Sequence, residues 1–126
     1  VLGENFYMSV RVLRGAISVP QNTRLSILAA TEELLRALVE ANDIQPSSLV
    51  SVTFTATPDL DQAYPTEAAR KMGWTEAALL CVQEMKVVNS LPMCLRVSIL
   101  WETDRTQSEM RHCYLGEAAD LRPDWS

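Results

Sequence analysis

The sequence predicts an α+β fold: an α/β layer in which a mixed β-sheet carries helices on one face. Three observations predict it. Two runs alternate in the manner of strands: Val50, Val52, Phe54 and Ala56 against Ser51, Thr53 and Thr55, and Leu95, Val97, Ile99 and Trp101 against Arg96, Ser98 and Leu100. One long segment, Arg24 to Ala41, carries Leu28, Thr31, Leu35 and Leu38 at helical spacing. The elements follow in the order strand, helix, strand, short helix, strands.

The first strand is expected over Ser9–Ser18, where Val10 and Val12 alternate with Arg11 and Leu13 and Gly15 follows Arg14. Pro20-Gln21-Asn22-Thr23 is a turn. Asn22 or Thr23 supplies a side-chain oxygen to cap the helix that starts at Arg24. Leu34 and Val39 join its apolar stripe, while Glu32, Glu33, Arg36 and Glu40 occupy the other side, and Asn42-Asp43 ends it. Leu49–Thr57 is the second strand, broken by Pro58-Asp59. Pro65 suits the first position of a short helix, Pro65–Met72, and Gly73 suits its C-terminal cap. Ala77–Val82 is a short apolar strand, and Val88 to Pro92 a turn. Leu95–Trp101 is the strongest strand. A polar stretch, Glu102–Glu109, precedes an extended segment near Arg111–Leu115. Gly116–Leu121 suits a short helix, and Arg122-Pro123-Asp124 ends the chain.

A chain of 126 residues is one domain's worth. Area scaling gives a folded surface of about 6,700 Å² against about 20,400 Å² extended, so about two-thirds is buried. Residues 1–7 read as an N-terminal extension ahead of Met8, and residues 8–126 as a single domain. Val1 to Val10 lacks the basic and apolar regions of a signal peptide, and no apolar run reaches the length of a membrane span. Cys81, Cys94 and Cys113 are odd in number and have no C-x-x-C spacing, which argues against a disulfide framework or a structural zinc site and for a reducing cytoplasm. His112 is the single histidine, so it cannot build a two-histidine metal site. Four glycines include no phosphate-cradling loop.

The net charge of −5 argues against a nucleic-acid partner, which needs a basic surface. Yet nine of the eleven cations are Arg, and only Lys71 and Lys86 are Lys. Arg grips carboxylates in a bidentate fork. Once the helix-face charges are set aside, Arg14, Arg70, Glu84, Arg96, Arg111, Tyr114 and Arg122 remain. Arg96 is the most informative, because an Arg inside an apolar strand must face water, a partner or a ligand. Taken singly, each of these residues is ordinary: an exposed cation or carboxylate, a packing tyrosine, an inert core thiol at Cys81. Pattern alone yields a domain that binds a small anion.

The arrangement is more specific. Arg11-Val12-Leu13-Arg14-Gly15-Ala16, Phe54-Thr55-Ala56-Thr57-Pro58-Asp59-Leu60, Ala63-Tyr64-Pro65, Ala68-Ala69-Arg70, Cys81-Val82-Gln83-Glu84-Met85, Cys94-Leu95-Arg96-Val97, and Arg111-His112-Cys113-Tyr114-Leu115 with Leu121-Arg122-Pro123-Asp124 resemble, in order, the monofunctional chorismate mutases of the AroH class. The resemblance runs from Val10 to Asp124. It implies a homotrimer with the look of a pseudo-α/β-barrel and active sites between subunits. It implies conversion of chorismate to prephenate without cofactor, metal or covalent intermediate. By the same resemblance, Arg96 is the cation that reaches the ether oxygen and a carboxylate, Arg14 and Tyr114 hold carboxylates, and Glu84 accepts from the ring hydroxyl beside Cys81. Tyr64 walls the pocket from the adjoining subunit, Leu79 and Leu80 line an apolar floor, and Arg70, Leu121 and Arg122 close the entrance. Tyr64, Glu67 and Leu80 stand where relatives often carry Phe, Lys and Thr. Two other readings stay open at this point: a trimeric imine/enamine deaminase, which also holds a carboxylate with an inter-subunit arginine, and a non-catalytic module that binds a small acid.

Overall fold

The computed structural model describes residues 8–125; residues 1–7, read above as an extension, lie outside the described residues. Five strands, β1 (Ser9–Ser18), β2 (Leu49–Ala56), β3 (Ala78–Gln83), β4 (Cys94–Thr103) and β5 (Cys113–Leu115), form one sheet in the order β3-β2-β4-β1-β5. β4 pairs antiparallel with β1 and β2, while β2–β3 and β1–β5 are parallel, so the sheet is mixed as expected.

Helix α1 (Arg24–Asn42) starts where Thr23, in extended backbone, accepts the Ser26 N–H on its hydroxyl at 3.1 Å. It ends at Asp43, whose left-handed φ of 54° turns the chain out. The buried stripe is Ile27, Ala30, Thr31, Leu34, Leu35 and Leu38. Leu28 and Val39, expected on that stripe, lie at its margins and are only partly buried. Thr31 enters the core because its hydroxyl donates to the Ile27 carbonyl at 2.7 Å. Helix α2 (Pro65–Lys71) begins with Pro65, whose missing N–H costs nothing at a helix start.

The core lies between these helices and one sheet face. Leu13 and Ile17 of β1, Val52 and Phe54 of β2, and Leu95, Val97, Ile99 and Trp101 of β4 point into it. The expected alternation of β4 is therefore observed, with Arg96, Ser98 and Leu100 on the opposite face. In β2 it fails at one residue. An irregularity between Leu49 and Ser51 turns Leu49 inward and leaves Val50 outside, so Val50 does not share a face with Val52. The opposite face is open over most of its area. Among the described residues only its β5 end is covered, by two 3₁₀ turns, Gly116–Leu121 and Pro123–Trp125, around a small cluster of Ala16, Cys94, Tyr114 and Ala118. The helices α1 and α2 are thus on one face, with the two terminal turns on the other.

β5 is shorter than the expected Arg111–Leu115 segment for a local reason. The backbone of Arg111 exchanges two hydrogen bonds with the buried Asn42 side chain, each 2.9 Å, instead of entering the sheet. Within the expected polar stretch, Thr106 and Glu109 form a capping box around a single turn, Gln107–Glu109.

Gly15 is where α1 comes closest to the sheet. A Cβ there would stand 2.9 Å from the Cys113 carbonyl oxygen and 3.1 Å from a methyl of both Leu34 and Leu38. The oxygen is held in the sheet and cannot yield. Gly15→Ala is therefore expected to cost about 1–3 kcal/mol, the usual penalty for overpacking, read as a lower midpoint in urea unfolding.

Candidate active site

Sheet register builds the site. Across the open face, one row runs Tyr114 on β5, Ala16 on β1, Arg96 on β4, Thr55 on β2 and Val82 on β3. The next row runs Arg14, Ser98, Thr53 and Leu80. Strands about 4.8 Å apart bring these side chains to one surface, although Arg14 and Arg96 lie 82 positions apart in the chain. Arg14, Thr53, Thr55, Glu84, Arg96 and Ser98 line a cavity of about 170 Å³ there.

Glu84 stands just past β3, and its N–H still bonds the Ala56 carbonyl at 2.9 Å, so its backbone is fixed by the β2–β3 ladder. Its carboxylate accepts the Thr55 hydroxyl and lies 3.3 Å from Arg96 Nε. That approach lacks the alignment of a hydrogen bond: Arg96 Nε is buried and has no hydrogen-bond partner among the described residues. The carboxylate's charge offsets part of that donor's desolvation, and an aligned acceptor entering the cavity would supply the missing hydrogen bond. The two arginines outnumber the single carboxylate, so the cavity suits an anion within a chain of net charge −5.

The start of β4 is pinned by the Thr57-Pro58-Asp59 segment. Thr57 Oγ1 accepts the Cys94 N–H at 3.0 Å, and the Asp59 carboxylate accepts the Met93 N–H at 3.0 Å. This segment holds Arg96 in register and does not line its cavity. Burial pushes the neighbouring Cys94 thiol up from its ordinary value, which keeps it protonated and inert.

The other residues singled out from the sequence fall in several places. Tyr114 is buried on the Arg96 row. Tyr64 and Cys81 line a separate cavity of about 560 Å³ at the ends of β2 and β3; Tyr64 is 72% exposed. Cys81 Sγ lies 3.7 Å from the Thr66 hydroxyl. Leu79 and Leu80 do not form one floor, because neighbouring strand residues face opposite ways: Leu79 packs on the core and Leu80 is exposed on the open face. Arg70 is exposed on α2, outside both cavities. Leu121 packs on the Tyr114 cluster. Arg122 pairs with Asp124 at 2.8 Å and lies over the Trp125 ring at 3.5 Å. Glu67 is paired with Arg24 and Lys71, and Arg24 holds its carboxyl below the usual range.

Sequence reasoning missed Thr53, Thr55 and Ser98. Their signal was the polar side of two alternating strands, visible once Arg96 is placed on the same face. It also left His112 without a role. In the fold His112 Nδ1 accepts the Arg14 N–H at 2.9 Å. Among the described residues no group of three or more metal-ligating side chains converges, and no helix is long and apolar enough to cross a membrane.

Comparison with known proteins places this geometry. The sequence matches the chorismate mutase type I family over residues 10–125. The chain belongs to that family. Similar proteins include Chorismate mutase AroH of Thermus thermophilus, 49% identical over 91% of this chain and 95% of that protein. Chorismate mutase AroH of Bacillus subtilis strain 168 is 39% identical over 94% of each. A solved chorismate mutase structure from Clostridium thermocellum superposes with a TM-score of 0.86 at 42% identity, covering 87% of this chain and 98% of that one. The resemblance read from the motifs is thus confirmed at the level of the family. The family match spans both arginine rows, Glu84 and the terminal turn, and the deaminase and non-catalytic readings find no support in it.

Proposed function

We propose that this chain converts chorismate to prephenate by a [3,3]-sigmatropic (Claisen) rearrangement, an isomerase step in the biosynthesis of phenylalanine and tyrosine. One observation carries the reading: a member of the chorismate mutase type I family gathers two arginines and one carboxylate around a single small cavity, with one arginine N–H making no hydrogen bond among the described residues.

The chemistry asks for what these residues offer. A pericyclic step needs no nucleophile and no general base, and draws on no cofactor. It needs the flexible dicarboxylate held in a compact chair, which is a matter of orientation. It also needs a cation at the ether oxygen, where negative charge develops as the C–O bond breaks. Arg96 is that cation. Arg14 grips a carboxylate, Tyr114 donates to one, and Glu84 accepts from the ring hydroxyl.

The site is shared between copies in a homotrimer. A cavity of about 170 Å³ falls short of the roughly 300–1,000 Å³ of ligand pockets. The sheet face around it exposes Val10, Val12, Leu80 and Val82, an apolar surface that suits burial against another copy. Tyr64, Cys81, Arg70, Leu121 and Arg122 then serve as walls and rim, some of them from the neighbour. Three free thiols suit a reducing cytoplasm.

The test is direct. Mixed with chorismate and a chelator, the chain is expected to deplete the diene absorbance and yield prephenate, and to sediment as a trimer. Release of ammonia, or no turnover by a folded trimer, would overturn the reading.

A further inference from the structure

The outer edge of β1 is closed by two side chains before β5 begins. The Gln107 amide bonds both polar groups of the Val12 backbone, accepting its N–H at 3.0 Å and donating to its carbonyl at 2.6 Å. Two residues on, the Arg14 N–H donates to His112 Nδ1 at 2.9 Å. A backbone N–H can only donate, so Nδ1 is the unprotonated nitrogen of the ring. The same ring stacks on Trp125, centroids 3.7 Å apart and planes at 23°. Trp125 also meets Tyr114 edge-on at 5.9 Å and lies under the Arg122 guanidinium. One imidazole therefore joins the strand that carries Arg14 to the C-terminal turn Pro123–Trp125.

We propose that His112 is a positioning residue for the reaction: its neutral ring fixes the backbone at Arg14 through Nδ1 and seats the C-terminal turn through Trp125. The role in catalysis rests on reading Arg14 as a carboxylate anchor. Protonation puts a hydrogen on Nδ1, which removes the acceptor and turns it against the Arg14 N–H. The charged groups facing the ring are Arg14 from β1 and Arg122 and Asp124 from the terminal turn. Burial, helped by the two arginines against Asp124, holds His112 below its ordinary value of 6.5. Between that lowered value and 6.5 the unfolded chain binds more protons than the folded one. Stability of the arrangement therefore rises with pH across that window and is lost as pH falls through it. An anchor that grips substrate and transition state alike affects KM more than kcat.

His112 is the only histidine, so its ring proton resonance gives its titration midpoint unambiguously. In the wild-type chain kcat/KM is expected to fall on the acid side at that midpoint. His112→Phe keeps a ring on Trp125 but offers no acceptor. Its KM for chorismate is expected to rise about 3- to 10-fold, the equivalent of one lost hydrogen bond, with kcat nearly unchanged and that acid limb absent. His112→Asn restores an acceptor that does not titrate but offers Trp125 no ring; its KM should lie between those of wild type and His112→Phe, again without the limb. Wild-type kinetics in His112→Phe, or the same acid limb in His112→Asn, overturns the proposal, and the second variant decides if the first fails to fold. A substrate-free measurement separates this from failure of the functional reading. The emission of Trp125, taken as the difference from Trp125→Phe, should change at the imidazole midpoint even if chorismate is not turned over. No change there removes the link to the terminal turn.

Discussion

Arg96→Ala is expected to lower kcat by at least about 10²–10³-fold, the usual loss on removing one donor aimed at developing charge. KM should change far less, because the contact strengthens as the C–O bond breaks and is weak before it. The geometry explains the size. Arg96 projects from the best-buried strand, between Leu95 and Val97, which are both sealed in the core. Its backbone is flanked by Ala16 on one side and Thr55 on the other, and its start is pinned by Thr57 and Asp59. The guanidinium therefore costs little reorganisation when charge appears. Its Nε–H is already desolvated and faces the Glu84 carboxylate at 3.3 Å without a hydrogen bond among the described residues, a donor held ready for an acceptor. Arg96→Lys keeps the charge without the planar fork and should fall between wild type and Ala. Steady-state kinetics on chorismate, with circular dichroism to show that the variant folds, checks both. Near-normal kcat in Arg96→Ala would remove the electrostatic mechanism.

The parts of this fold that depend on local chemistry were legible in the sequence. The alternation of Leu95 to Trp101 marked β4, the pair Asn22-Thr23 marked the start of α1, with Thr23 the cap in the fold, and Pro65 marked that of α2. What was not legible depends on pairing. Nothing local tells Val50 that an irregularity in β2 will turn it outward, or that Tyr114, Arg96 and Thr55 will share one row across four strands. Arg96 stood out because a guanidinium in an apolar strand is costly unless it faces a polar site. Arg14 and Glu84 remained once the helix-face charges were set aside but were ordinary taken singly; the motif resemblance gave them roles, and the fold sets Glu84 beside Arg96. His112 was unreadable because its value lies in a bond to a backbone 98 positions away, and a backbone group leaves no trace in residue identity.

Glu84 carries the second large effect. Glu84→Ala removes the acceptor for the Thr55 hydroxyl and the anion beside Arg96 together. In the proposed reaction it also removes the acceptor for the ring hydroxyl. Hydrogen bonds to a charged group are worth about 1.5–3 kcal/mol, so kcat/KM is expected to fall about 10- to 100-fold. Glu84→Gln keeps a carbonyl oxygen for Thr55 and for the substrate, and loses only the charge. It should therefore retain clearly more activity than Glu84→Ala. A catalytic base would erase that difference: an amide cannot take a proton, and Gln would be as inactive as Ala. The pair of variants thus separates hydrogen bonding from proton transfer. If the two are equally inactive, and the wild-type rate depends on one basic group titrating near neutrality, the rearrangement is the wrong chemistry for this site and Glu84 is a base.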